Sequence, residues 1–159
     1  KIIVDGTPDR KVAKAILDTL AAGINTIADP ALDYHTEEFL ITKKIKTAIT
    51  YNILKFKSLK IKVEVLDVNG EKDSRWTKPI QDELIKYCDS LGLGEPMTYN
   101  ELHSEVNGID EIRYAKVYVL DNSENPNADY QLYDLEHKFD IIETQKYKLS
   151  KSDIEVVYV

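Results

Sequence analysis

The sequence predicts an α+β protein built from two small mixed α/β units, in which short helices pack on mixed or antiparallel sheets. Three observations lead to this class. Strands and helices alternate in the first half of the chain, and strands then cluster towards its end. The 159 residues, 43% of them apolar and 31% charged, are enough to bury a core. We place the units at residues 1–53 and 54–159 and expect a fragment of a longer protein.

The first unit is predicted to begin with a strand at Ile2-Ile3-Val4 and a turn at Asp5-Gly6. Thr7 followed by Pro8 is typical of a helix N-cap with proline at the first helical position. Gly23 is the predicted end of that helix. Its apolar face recurs at helical spacing, through Val12, Ala13, Ile16, Leu17 and Leu20.

Residues 24–42 show no clear period, whereas alternation from Ile45 to Ile53 predicts a strand over 44–53. The second unit then starts with a strand over 57–66 that ends at the turn signal Asp67–Gly70.

A helix follows, with Pro79 in its first turn and Gly92 at its end, because an interior proline would break the helix. Its apolar face is predicted to consist of Ile80, Leu84, Tyr87, Cys88 and Leu91. The next helix is predicted to begin at Thr98 and to end at Gly108. Thr98 and Glu101 form a predicted capping box, and Met97 is predicted to pack on Leu102 as a hydrophobic staple.

The last third is predicted to hold strands at 112–120, 139–142 and 154–159, with a polar loop over 121–127. Tyrosines concentrate here, and Tyr114 and Tyr118 lie on the first of these strands. Amphipathic aromatic side chains are typical of protein interfaces, although the half-buried face of a strand explains them equally well.

Charge divides the chain unevenly, for a total of −7. Residues 39–63 carry seven lysines and no acid, whereas residues 64–159 carry 21 acids and 10 bases. Lys55, Lys57, Lys60 and Lys62 are candidates for a basic surface that meets an acidic protein face. The alternative is that Lys60 and Lys62 form the solvent side of a strand. The acidic total and the scarcity of arginine argue against nucleic acid as a partner.

The residue patterns suggest no catalytic, metal or cofactor site. Gly92-Leu93-Gly94 follows a helix and lacks the strand–loop–helix context of a phosphate loop. His103-Ser104-Glu105 resembles part of a zinc deaminase motif, but that motif needs two further cysteines and the chain has only Cys88. No apolar run is long enough for a membrane span. We therefore expect no enzyme activity, cofactor, small-molecule substrate or membrane contact.

Several segments taken in order resemble the carboxy-terminal part of the baseplate J-like proteins of contractile-tailed phages. In the first half these are Asp5-Gly6, Val12–Ile16 and Ala22–Thr26, which resemble a turn, a "Val-Ala-x-Ala-Ile" helix and an "Ala-Gly-Ile-x-Thr" exit. Ile27–Pro30 and the lysine-rich segment stand where that family has a glycine and a hairpin.

In the second half the resemblance covers the strand Leu59–Val65, the helix end Tyr87–Glu95, the short helix from Met97 and the turn Asn107–Ile112. It implies a structural wedge component of a phage or prophage tail baseplate, without catalysis or cofactor. The implied partners are other baseplate or tail proteins, or further copies in a ring. The implied location is the cytoplasm during assembly and then the virion. The residues alone leave two alternatives open: a protein-binding module of another assembly, and a small enzyme with an unrecognised carboxylate site.

Overall fold

The computed structural model of the chain divides it into two compact units, Lys1–Lys55 and Phe56–Val159. The division falls two residues after the boundary predicted from the sequence. The structure describes residues 2–4, 7–20, 26, 28, 30, 32–41, 45–67, 74–110, 112–121 and 128–159. Over these residues the chain has an α+β fold, as predicted.

Unit 1 contains strands β1 (Ile3–Val4), β2 (Tyr34–Leu40) and β3 (Lys46–Ile53) and helix α1 (Arg10–Thr19). The central strand β3 pairs in parallel with β1 and antiparallel with β2. The predicted apolar face of α1 is confirmed: it packs on the sheet around a small core, consisting of Ala13, Phe39, Ile49 and Tyr51.

Three predictions for unit 1 need correction or fall outside the described residues. The N-cap of α1 is Asp9 and not Thr7, because the Asp9 carboxylate accepts the Val12 backbone N–H at 2.8 Å. Strand β2 lies within 24–42, where the sequence showed no period. The helix ends at Thr19 with Leu20 as its C-cap, and not at Gly23, which lies outside the described residues.

Unit 2 contains helices α2 (Thr77–Ser90) and α3 (Tyr99–Asn107). One-turn 3-10 helices occupy Ser74–Trp76 and Lys151–Asp153. The strands are β4 (Lys55–Lys57), which begins at the last residue of unit 1, β5 (Lys60–Asp67), β6 (Met97–Thr98), β7 (Ile112–Leu120), β8 (Lys138–Phe139), β9 (Gln145–Tyr147) and β10 (Ile154–Tyr158).

The largest sheet of unit 2 has the strand order β10-β5-β7. Strand β10 runs parallel to the central strand β5, and β7 runs antiparallel to it. Successive side chains of a strand point to opposite faces. One face of this sheet is therefore a buried layer, formed by Ile61, Val63, Val65, Ala115, Val117 and Val119. Helices α2 and α3 contribute to the same core.

Several predicted elements of unit 2 are confirmed and others are corrected. The predicted apolar face of α2 is buried, Pro79 lies in its first turn, and Gly92 directly follows the C-cap Leu91, as predicted. The strand predicted over 57–66 is split into β4 and β5, which pair with different strands. The prediction of a strand over 139–142 is wrong, since β8 ends at Phe139. Of the predicted polar loop 121–127, residues 122–127 lie outside the described residues.

Thr98 is the N-cap of helix α3, as predicted, but a third residue completes the capping box. The Thr98 hydroxyl accepts the Glu101 backbone N–H at 3.3 Å. The Glu101 carboxylate accepts the Thr98 hydroxyl at 2.6 Å instead of the Thr98 backbone N–H. That N–H donates to the Tyr87 hydroxyl at 3.2 Å, and Tyr87 donates to Glu101 at 2.7 Å. Tyr87 thereby ties the start of α3 to α2.

The outer edge of β7 is closed by side chains and a short bridge. At Ala115 the backbone N–H donates to the Asn107 amide oxygen at 2.8 Å, and the Asn107 amide nitrogen donates to the Ala115 carbonyl at 3.2 Å. The Asn107 side chain thus occupies the position of a neighbouring strand. An edge closed in this way is protected from pairing with another chain.

Farther along the same edge, the Tyr99 hydroxyl donates to the Val117 carbonyl at 2.7 Å. Val119 and Gln131 then exchange two backbone hydrogen bonds, at 2.9 and 3.0 Å. Closure of this edge therefore combines α3 with the chain beyond β7.

Candidate interaction surface

Four of the six residues that the sequence singled out lie on one surface, the face of the β10-β5-β7 sheet turned away from the core. Lys60 and Lys62 are on β5, and Tyr114 and Tyr118 are on β7. Lys62 is directly opposite Tyr118. We call this surface the outer sheet face; strand alternation and register assign to it Lys60, Lys62, Glu64, Leu66, Tyr114, Lys116, Tyr118, Leu120, Glu155 and Val157.

At one end of the outer sheet face, Lys60 is held by an acid of its own chain. Its ammonium lies 2.6 Å from the Asp153 carboxylate, whose side chain is only 14% exposed. Burial raises the pKa of Asp153, but hydrogen bonds from Lys60 and Ser150 outweigh it, so the pKa is lowered overall. Lys60 is therefore not a free cation.

Lys62 sits in the middle of the outer sheet face among an acid and two aromatic rings. Its ammonium lies 3.4 Å from the Glu64 carboxylate, 4.7 Å from the Tyr118 ring centre and 5.6 Å from the Tyr130 ring centre. Tyr118 donates its hydroxyl proton to Glu64 at 2.9 Å, which raises the tyrosine pKa. The four side chains form one network in which the lysine charge is neutralised locally.

Lys57 and Lys55 lie on β4, which is not a strand of this sheet. Lys57 is on β4, and its ammonium contacts the Asp121 carboxylate at 3.2 Å and the Asp140 carbonyl at 2.8 Å. Lys55 belongs to unit 1, where it pairs with Asp33 at 2.6 Å. Each of the four lysines proposed for a basic surface therefore has a carboxylate partner within its own unit.

The other end of the outer sheet face is apolar and exposed. Leu66 and Tyr114 are directly opposite one another. Val159 donates its backbone N–H to the Val65 carbonyl at 3.1 Å, which continues the β10 ladder and places its side chain beside Leu66. We call these three residues the apolar row. Tyr114 is 47% exposed, Leu66 41% and Val159 58%.

Sequence reasoning identified the lysines and tyrosines but missed Asp153, Glu64 and Leu66. Asp153 was missed because the Lys60–Asp153 pair spans 93 positions in sequence. Leu66 carried a usable signal, since it is out of phase with the buried alternation of Ile61, Val63 and Val65.

A ring cluster beyond β7 was also missed. Tyr133 stacks on His137 at 4.2 Å between ring centres, and Phe139 meets both rings edge-on at 5.0 and 4.7 Å. The spacing of these aromatic residues along the chain was the signal from which the cluster could have been predicted. The cluster fixes the segment that leads from the β7 bridge to β8.

The described residues also bear on metal, thiol and membrane chemistry. In that part of the chain no three His, Cys, Asp or Glu side chains lie close enough together to hold a metal ion. Cys88 is buried, and burial raises its thiol pKa to about 11. The helices described there include none that is both long and apolar enough to cross a membrane.

Comparison with known proteins gave no match: neither a protein-family model nor a curated protein sequence aligns significantly with the chain.

Proposed function

We propose that the chain is a structural component of a phage or prophage contractile-tail baseplate, of the wedge type, that acts through protein–protein contacts and without catalysis. The proposal begins from the ordered resemblance to baseplate J-like proteins. It places the chain in the cytoplasm during assembly and in the tail baseplate afterwards. Its partners are other baseplate or tail proteins.

The observation that carries the proposal is the apolar row on the outer sheet face. Leu66, Tyr114 and Val159 stand side by side and are each more than two-fifths exposed. The ion-paired network of Lys62, Glu64 and Tyr118 borders them. An apolar centre with tyrosine and a polar rim is the usual composition of a specific protein interface.

The structure changes which variants should test this contact. Reversing Lys60 and Lys62 to glutamate breaks pairs with Asp153 and Glu64 inside the chain, so a loss of assembly would also report lost stability. Leu66→Asp changes an exposed side chain instead. Leu93→Asp is the matched control, because Leu93 is 45% exposed and lies in the turn that follows α2.

The test is immunogold electron microscopy of induced particles with an antibody raised against the chain. We expect gold at the distal end of the tail, and we expect Leu66→Asp but not Leu93→Asp to reduce incorporation of the chain. Intact tailed particles without label, together with protein only in the soluble fraction, would refute the baseplate proposal. A protein-binding module of another assembly would then take its place.

A further inference from the structure

Strand β10 has a hydrogen-bonding edge directed away from β5. Alternate residues of a strand direct their backbone groups to opposite sides. Val159 donates towards β5, to the Val65 carbonyl, so Val157 and Glu155 also face β5. The residues between them, Val156 and Tyr158, direct their N–H and C=O groups to the other side.

The beginning of this edge is satisfied within the chain. The Ile154 N–H donates to the Lys151 carbonyl, and the Ile154 carbonyl accepts the Gln81 side-chain amide at 3.2 Å. Over the part of the chain that the structure describes, no donor or acceptor meets the outward backbone groups of Val156 and Tyr158. The opposite edge of the same sheet is closed by Asn107. The two edges therefore differ: the β7 edge is closed, and the β10 edge is open at Val156 and Tyr158.

We propose that two copies of this chain pair antiparallel through β10, about a two-fold axis at Val157. This inference does not rest on the proposed baseplate function. In this register Val156 lies opposite Tyr158 of the second copy, and each pair exchanges two hydrogen bonds. The four bonds satisfy every open group of both strands, and the two three-stranded sheets become one six-stranded sheet.

The neighbouring antiparallel register, centred on Val156, is a poorer match. It places Tyr158 opposite Ile154 of the second copy, whose N–H is already bonded to Lys151. The Tyr158 carbonyl would then lack a donor in both copies. The open groups therefore select Val157 as the centre.

Side chains also agree with this register. Val157 meets Val157 of the second copy, and Tyr158 meets Val156, an aromatic with a β-branched residue. Glu155 carries the one charge of β10 and lies opposite Val159 of the second copy. The two Glu155 side chains therefore do not face one another.

The first experiment is sedimentation of the 159-residue chain across a concentration series, which we expect to show a dimer. Val156→Pro removes an outward N–H and leaves the β5 ladder intact, because proline is tolerated at an edge position. Two of the four bonds are lost, so the dimer dissociation constant should rise about tenfold or more. Circular dichroism checks that the fold is retained.

Val157→Lys provides an independent variant should the proline disturb folding. Inside one chain the new lysine stands beside Glu64, but in the dimer two lysines meet at the axis. We expect Val157→Lys alone to be monomeric and a mixture with Val157→Glu to restore a dimer. Val157→Thr is the matched control and should still dimerise.

Cross-linking then tests the register. Facing Val157→Cys residues form a non-hydrogen-bonded pair about 4.5 Å apart at Cα, within disulfide range. Glu155→Cys places the two cysteines about 13 Å apart, so it should not cross-link. Buried Cys88 gives no background. A chain that stays monomeric at all attainable concentrations, a dimer unaffected by Val156→Pro and Val157→Lys, or cross-linking through Glu155→Cys instead of Val157→Cys would overturn the proposal.

Discussion

Replacing Asn107 with alanine should destabilise unit 2 by opening the closed edge of β7. The Asn107 side chain makes three hydrogen bonds to the backbone: it accepts from the Ala115 N–H and donates to the carbonyls of Ala115 and His103, the last at 3.0 Å. Ala115 is fully buried, so alanine at position 107 leaves its N–H and C=O without these partners.

The size of the effect follows from those two groups. A buried donor or acceptor left unpaired costs about 1 to 3 kcal/mol. Alanine regains roughly half a kcal/mol because it is a better helix former than asparagine. We therefore expect Asn107→Ala to lower the free energy of unfolding by about 1.5 to 5.5 kcal/mol.

Urea titration followed by tryptophan fluorescence measures this change specifically. Trp76 is the single tryptophan of the chain and belongs to the core of unit 2, so its emission reports that unit. Asn100→Ala is the matched control on the same helix, because Asn100 is exposed. The edge-closing role of Asn107 is refuted if the free energies of unfolding of the two variants differ by less than about 0.5 kcal/mol. That difference is below the cost of one unpaired group.

Three further predictions concern titratable groups. Burial and the Glu101 contact raise the pKa of Tyr87 to about 12, so stability should fall between pH 10, near the unfolded pKa, and pH 12. Tyr87→Phe should weaken that fall and cost about 1 kcal/mol at neutral pH, as measured by urea midpoints. Because the pKa of Asp153 is lowered, its contribution to folding stability is present above about pH 4 and is lost as acid protonates it. Asp153→Asn should therefore show a shallower acid-induced loss of stability. An unchanged acid profile would contradict this. Cys88 should react with a thiol reagent at neutral pH only as fast as the chain unfolds, and rapid labelling of the native protein would contradict its burial.

The helices of unit 2 were predictable because each carries its own local signals. In α2 the apolar spacing and Pro79 fix the buried face and the first turn. In α3 the Thr98 cap fixes the start. What could not be predicted is that Tyr87, eleven residues earlier than Thr98, completes this cap. That contact depends on how the two helices pack, and the sequence does not encode helix packing as a local pattern.

The strands were less predictable because pairing is a long-range property. Strand β2 was missed because six of its seven residues are exposed or half-buried and only Phe39 is buried, so no apolar alternation appears. Strands β8 and β9 are two and three residues long, too short to show a period. The strand Ile112–Leu120 was predicted correctly, since nearly every second residue is buried.

For the candidate interaction surface, the sequence singled out residues but not the contacts that these residues make. The lysine-rich segment suggested attraction between opposite charges on neighbouring subunits. In the structure Lys60 and Lys62 already have Asp153 and Glu64 beside them, so a partner's acid would have to displace an acid of the same chain. Exchanging one ion pair for another gains little net free energy.

The proposed association of unit 2 would therefore draw on groups that its own fold leaves unsatisfied. Two such sets carry the proposals made above: the apolar row on the outer sheet face, and the outward backbone groups of Val156 and Tyr158. Both sets belong to the β10-β5-β7 sheet, since Val159 is part of the apolar row and continues the β10 ladder. A second copy paired at β10 would leave Leu66 and Tyr114 uncovered by that pairing, because they lie on β5 and β7. The edge would then serve self-association while Leu66 and Tyr114 remain available to a different protein, and the Val157→Lys and Leu66→Asp variants should separate the two contacts.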